Sequence, residues 1–141
     1  MRALGIDFGE RRIGLAVSDA EGRLAVPLGV IARRTDRQAA YAIAALAREE
    51  EVEVIVLGEP RGFDGTDEES ADRVRRFGKR VSKAAGLPLC FVDEALTTVE
   101  ASERLRAAGL DRRDRPELRD AVAAQIILQQ ALDEELVGER E

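Results

Sequence analysis

The first eighteen residues alternate. In "RALGIDF" and again in "RIGLAVSD", apolar positions exchange with small or polar ones at almost every step, and "GERR" separates the two runs. A period of two predicts two strands joined as a hairpin. A third strand, "RLAVPLGVIA", follows the turn at Glu21-Gly22. Pro27 inside it predicts an edge position or a bulge, because proline has no N–H to give to a ladder. From Thr35 the period becomes helical. Thr35-x-x-Gln38 is a capping box, and Ala39, Ala40, Ile43, Ala44 and Leu46 form an apolar stripe. "VEVIVLG" is a β-branched run and predicts a buried strand. After the Gly- and Pro-punctuated loop "EPRGFDG", Thr66-x-x-Glu69 opens a second helix with Val74, Phe77 and Val81 at helical spacing, ended by Gly86. "PLCFVDE" predicts a fifth strand. Thr97-x-x-Glu100 opens a third helix running to Gly109. Pro116 lies near the start of a last one carrying Leu118, Val122, Leu128 and Leu132.

Three strands followed by alternating helices and strands imply an α/β protein: a five-stranded mixed sheet flanked by helices. This is the order expected of a ribonuclease H-like fold. The pattern shows no repeat, low-complexity segment or linker, so residues 1–141 are expected to form one domain, with an acidic tail from about 133. At 45% hydrophobic residues the chain has enough apolar surface to build a core.

Composition narrows the chemistry. There is no histidine, which excludes Ser-His-Asp and Cys-His catalysis and zinc sites that need imidazole. Cys90 is the sole cysteine, so an internal disulfide and a thiolate metal site are excluded too. No segment approaches the roughly 20 apolar residues that cross a bilayer, and the start "MRALGID" is unlike a signal peptide. A soluble cytoplasmic protein without a membrane partner is expected. Twenty-eight acidic residues make carboxylates with Mg²⁺ or Mn²⁺ the natural candidate for catalysis.

The net charge of −6 does not suggest a polyanion partner, but its distribution matters. The last eleven residues, "ALDEELVGERE", carry −4, so the remaining 130 carry only −2. Basic side chains also cluster, at Arg33, Arg34 and Arg37, at Arg73, Arg75, Arg76, Lys79, Arg80 and Lys83, and at Arg112, Arg113 and Arg115. Such clusters suit nucleic-acid phosphates; solvated helix faces would look the same.

Three acids stand in apolar settings. Asp7 ends the first strand on the face of Ala3 and Gly5, whose small size leaves room above it. An Asp before Gly9 also suits an ordinary turn. Asp93 and Glu94 end the fifth strand, where α/β sheets usually place their sites, although a solvated strand exit reads the same way. Alternation alone does not choose between the two. Asp120, followed by Ala121 and Val122 with Ala124 and Ile127 four and seven positions on, borders a buried stripe. The plain explanation is an acid favoured near a helix N-terminus. Carboxylates meeting from separate elements repel one another unless hard cations intervene. Two such ions activate a water and stabilise the leaving oxygen of a phosphodiester.

"GIDFGERRIGLAVSD", "VLGEPRGFDGT", "VDEALTT" and "RDAVAAQIILQQALD" together resemble, in order and over nearly the whole chain, the motifs of the YqgF/RuvX family. Its members are bacterial proteins of ribonuclease H-like fold, described as Holliday-junction-resolvase-like and as pre-16S rRNA nucleases. The resemblance implies metal-dependent cleavage of a nucleic-acid phosphodiester. It puts catalytic, metal-binding carboxylates on Asp7, Glu94 and Asp120, choosing Glu94 over Asp93. The family usually has an arginine after that Glu ("DERLTT"), where this chain has Ala95, so Arg61, Arg11 or Arg119 is expected to hold the phosphate instead. On this reading Arg73, Arg76, Lys79, Arg80 and Lys83 touch phosphates as well.

Four functions follow. The first is an Mg²⁺- or Mn²⁺-dependent nuclease on structured RNA, in 16S rRNA maturation, with ribosomal particles as further partners. The second is a junction resolvase on branched DNA, which needs a homodimer rather than a monomer. The third is a nucleotide-binding lobe, since "IDFGERRIGLAVSD" also resembles the phosphate hairpin of the actin, hexokinase and Hsp70 group; a 141-residue chain has only one of the two lobes required. The fourth is a ribosome-associated module without catalysis. With four Phe and one Tyr, base stacking is expected to be a minor part of binding.

Overall fold

A computed structural model describes residues 1–59, 68–93, 99–112 and 114–134. The leading hairpin pairs β1 (Ala3–Phe8) antiparallel with β2 (Arg12–Ser18), and the chain reverses through a turn closed by the Gly9 N–H on the Arg12 carbonyl at 3.0 Å. β3 (Ala25–Ala32) pairs antiparallel with β2, and β4 (Val54–Glu59) and β5 (Leu89–Asp93) run parallel to β1. The sheet order is β3-β2-β1-β4-β5. β3 is therefore an edge strand, and its register shifts opposite Leu15/Ala16, with Pro27 facing Ala16. Both expectations for Pro27 hold.

The helices are α1 (Asp36–Glu49), α2 (Glu68–Ala85), α3 (Val99–Ala107) and α4 (Arg119–Asp133). The Thr35 side chain caps α1 by accepting the Gln38 N–H at 3.1 Å, as the capping box predicts. The proposed caps Thr66 and Thr97 lie outside the described residues. Gly86 ends α2 with φ +71°, a conformation that favours glycine. Pro116 lies near the start of α4, as expected. It opens a 3-10 turn, Pro116–Leu118, that leads into the helix at Arg119.

Alternation along the strands sorts the core into two halves. Leu4, Ile6, Ile13, Leu15, Ile55 and Leu57 face α1 and α2. Ala3, Ala16, Val54, Val56, Cys90 and Val92 face α4, and α3 packs outside α4. The two faces differ in side-chain size, and the difference is largest on β1 and β2. The α1/α2 side has leucine and isoleucine there. The α4 side has Ala3, Gly5, Gly14 and Ala16, and α4 lies close against them.

The closeness is measurable. A Cβ placed on Gly5 would lie 2.6 Å from the Leu128 Cβ and 3.0 Å from the Ala124 carbonyl oxygen. One placed on Gly14 would collide with the Asp120 carbonyl. The space above Gly5 itself is taken up by α4. Because α4 is covered by the sheet on one side and α3 on the other, even Gln125, Gln129 and Gln130 are buried.

We expect Gly14→Ala to force α4 off the sheet and cost about 1–3 kcal/mol, the usual penalty of overpacking. Gly29→Ala is the control, because nothing lies within 4 Å of a Cβ there. Urea unfolding should show a lower midpoint at unchanged m-value for the first variant and no loss for the second.

Candidate functional site

Asp7 and Gly14 are direct partners in the β1–β2 ladder. Partners across a ladder point to the same side of a sheet. The side of Gly14 is known from the Asp120 backbone it abuts, so Asp7 projects on the α4 face, beside the first turn of α4. Two of the three predicted carboxylates are thereby brought to one end of the sheet, at the carboxyl ends of the parallel strands. Both are partly buried.

The register also settles Asp93. It pairs with Glu59, and the α4 face of those strands is taken by Val56 and Val92. Asp93 therefore belongs to the α1/α2 face, where Glu59 binds Arg75 at 2.8 Å. Arg75 also binds Asp72 at 2.6 Å. The Asp72 hydrogen bond is the main reason its pKa lies above the usual arginine value. Glu94 and Arg61 lie outside the described residues. Among the described residues no three His, Cys, Asp or Glu side chains are close enough together to hold a metal ion.

The donor set that is present suits a hard cation. Asp7 and Asp120 bring carboxylate oxygens and no sulfur or nitrogen ligand, the chemistry preferred by Mg²⁺ and Mn²⁺. Between β1 and β5 lies β4, whose Gly58 follows Val54 and Val56 on the α4 face and adds no side chain there. The floor between Asp7 and the end of β5 is consequently backbone.

Arg12 was not anticipated. Its Nε donates to the Asp120 Oδ2 at 2.7 Å, with the Arg12 side chain 67% exposed and that of Asp120 29%. The signal was available, because alternation puts Arg12 on the face of Gly14 and Ala16. Arg11 and Arg119, the expected phosphate ligands, are exposed near the same end of the sheet. Arg33 has a structural task instead. Its side chain is 10% exposed, lies 4.1 Å over the Phe8 ring, and binds Asp36 at 2.9 Å and the Gly9 carbonyl at 3.2 Å. Phe8 also stacks on Phe77 at 4.2 Å, so the residue after Asp7 is anchored to the opposite layer.

The buried glutamines were missed as well. The Gln129 Oε1 accepts the Ala25 N–H at 2.9 Å, and the Gln125 Nε2 donates to the Ala25 carbonyl at 2.9 Å and to the Leu110 carbonyl at 3.0 Å. They tie α4 to the edge strand β3 and so help fix where Asp120 stands. Their polar letters in an apolar helix resemble surface positions, and only burial reveals the role.

Of the basic residues proposed to touch phosphates, Arg73, Arg76, Lys79, Arg80 and Lys83 are exposed on α2. That helix covers the sheet face opposite Asp7 and Asp120.

Residues 1–134 match the family model described as RuvX: Holliday junction resolvase. A protein of Syntrophus aciditrophicus (strain SB) named "Putative pre-16S rRNA nuclease" is 43% identical over 133 residues, 94% of this chain and 89% of its own length. One of the same name from Anaeromyxobacter sp. (strain K) is 45% identical over 94% of this chain and 97% of its own. Among solved structures, Thermus thermophilus RuvC in complex with a Holliday junction substrate superposes with a TM-score of 0.66 at 20% identity, over 97% of this chain and 96% of that one. The fowlpox virus Holliday junction resolvase does so with a TM-score of 0.58 at 12% identity, over 95% and 99%. These likenesses show the fold, a ribonuclease H-like sheet.

The Arg12–Asp120 pair is too exposed to hold the fold together, since such pairs contribute about 0–1 kcal/mol. Arg12→Ala should therefore shift the urea midpoint very little, and a double-mutant cycle with Asp120→Ala should give a coupling of about 0.2–1 kcal/mol.

Proposed function

Because the chain belongs to the RuvX family, we propose that it is a divalent-metal-dependent nuclease that hydrolyses phosphodiester bonds, with the 5′ end of 16S rRNA precursor as its substrate. The observation that carries this reading is the convergence of Asp7 and Asp120 through Gly14 at one end of the sheet. Glu94 is the third carboxylate of the set. It is supported by the motif "VDEALTT" and by Asp93 standing on the other face of the sheet.

Asp7, Glu94 and Asp120 would hold Mg²⁺ or Mn²⁺. When bound, the ions supply Lewis acidity toward a phosphate oxygen and a nucleophilic water at neutral pH. Asp7 is rigid because β1 is paired on both sides and Phe8 is clamped by Arg33 and Phe77. Asp120 is held by the helix start and by Arg12. Water attacks phosphorus in line, the P–O bond opposite breaks, and the leaving oxygen takes a proton. No histidine is needed, and none is present.

Arg11, Arg12 and Arg119 are exposed near this end of the sheet, and with Arg61 they would bind the phosphates flanking the scissile one. Arg12 would take the role of the arginine that the family has after the Glu: its guanidinium lies on the Asp120 carboxylate and its side chain is exposed. No helix among the described residues is long and apolar enough to cross a membrane. A precursor rRNA in the cytoplasm, with ribosomal particles around it, is the setting this reading requires.

The relatives in solved structures act on Holliday junctions, so four-way DNA is the second substrate to test, with a homodimer cutting two strands. Side-by-side cleavage of rRNA precursor ends and a four-way DNA junction separates the two. A non-catalytic role on the ribosome would leave the triple carboxylate variant able to complement.

Asp7→Asn should lower cleavage about a hundredfold or more, equivalent to about 3 kcal/mol of barrier, while far-UV circular dichroism stays unchanged. Asp93→Asn should stay within a few-fold of wild type, because it faces the other layer. Chelation should abolish cleavage and Mn²⁺ or Mg²⁺ restore it. Undiminished cleavage by Asp7→Asn overturns the proposal.

A further inference from the structure

One concavity of the described surface lies on the α1/α2 layer, across the sheet from Asp7 and Asp120. It is a groove of about 700 Å³ between α1 and α2, lined by Arg37, Tyr41, Arg76, Lys79, Arg80 and Lys83 over a floor of Ala40 and Ala84. A smaller hollow continues it past Arg73. The core residues of α1 and α2 all pack on the sheet face away from α4. With a sheet and a helix layer between them, each roughly 10 Å thick, the groove cannot hold the phosphate that Asp7 and Asp120 address.

We propose that this groove is a separate binding site for single-stranded nucleic acid. It deepens the nuclease reading, because the strand it takes is a flank of the substrate, but binding there does not depend on cleavage.

Three observations carry the inference. The first is charge: in a chain of net −6, five cations line one groove. Residues 76, 79, 80 and 83 form one stripe of α2, spanning about 10 Å at 1.5 Å per residue, a length suited to two or three successive phosphates. Among the described residues no carboxylate pairs with any of the five. The nearby Asp36 is bound to Arg33, and Asp72 and Glu59 are bound to Arg75. The second is Tyr41. Its side chain is 57% exposed, and only Val26 is also a large hydrophobic residue left so open among the described residues. It stands on the groove wall with the Arg37 guanidinium 5.8 Å from the ring centroid, a platform on which a base can stack. Stacking is expected to be a minor part of binding from the aromatic count, and Tyr41, the one tyrosine, is placed to supply it beside the basic stripe. The third is what the groove disfavours. A second copy docked here would set five cations against five, which like-charge repulsion opposes. An acidic peptide would leave the exposed ring without a partner.

The test is binding of fluorescein-labelled 12-nucleotide RNA and DNA single strands to the full chain in EDTA, read by fluorescence anisotropy across a salt series. The two sugars distinguish the source of the strand. The triple variant R76A/K79A/K83A should raise Kd at least tenfold and flatten the slope of log K against log salt by about 2, at about 0.7 per lost phosphate contact. All three side chains are exposed, so the fold should survive. Tyr41→Ala should raise Kd about tenfold with the slope unchanged, and Tyr41→Phe should keep wild-type affinity. Unchanged affinity in either the triple variant or Tyr41→Ala overturns the proposal. So does a 12-residue poly-glutamate peptide that competes as well as the RNA, or tighter binding of duplex than of single strands. Cleavage assays give the separate readout. On a flanked substrate the triple variant should raise KM at unchanged kcat, and on a trimmed substrate it should match wild type. Wild-type chain that binds here but cleaves nothing leaves the groove and removes the nuclease; cleavage without binding here does the reverse.

Discussion

The absence of two side chains governs this molecule. Gly5 and Gly14 let the backbone of α4 come down onto β1 and β2, with the Leu128 Cβ and the Asp120 carbonyl in the spaces where Cβ atoms would be. Buried apolar area alone would pack a helix on this sheet at an ordinary distance. Here the helix comes nearer, and its first turn sits directly over the Asp7–Gly14 pair. The candidate site depends on that contact, because the residue that meets Gly14 through its backbone is Asp120, one of the candidate carboxylates. The buried amides of Gln125 and Gln129 tie the same helix to β3, so its position is set from both sides.

The sheet then separates two chemistries. On one face small residues and a close helix bring carboxylates together at the strand ends. On the other, larger side chains seat α1 and α2, whose outer surfaces are free to carry cations. Charge pairing follows the same division. Glu59 and Asp72 bind Arg75 of the basic helix, and Asp93, the ladder partner of Glu59, stands on the same face, away from Asp7. A strand offers its two faces on successive residues, so Asp93 falls on the α1/α2 face while Val92, one step before it, falls on the α4 face.

Much of this was legible in the letters. Period-two alternation marked the hairpin. Pro27 marked the edge strand and its bulge, and the capping box at Thr35 marked the start of α1. Asp7 and Asp120 stood out because each is a charge set among apolar neighbours, which is a local property. The face that Asp93 takes could not be read from alternation alone, because it depends on strand register across the sheet, and Glu94 lies outside the described residues. Alternation put Arg12 on the α4 face but did not name Asp120, 108 residues away, as its partner, and Gln125 and Gln129 gave no sign of their tasks, since their partners lie 100 and 104 residues away along the chain. The basic cluster was visible, but its placement was not. Helical spacing puts Arg76, Lys79, Arg80 and Lys83 on one stripe, yet only the packing of α2 against α1 shows that the stripe looks away from the carboxylates.

What the sequence determined by itself was therefore everything set by short-range periodicity and residue chemistry: the element order, the apolar stripes, and a donor set of carboxylates without histidine or paired cysteines. What only the tertiary structure decided was proximity: which acid meets which, how near α4 can come, and on which side of the sheet the cations stand. The reason is physical. Local preferences act over a few residues and leave the register and layer of each element open. Those are settled by packing between segments a hundred residues apart, where one missing Cβ changes what can touch.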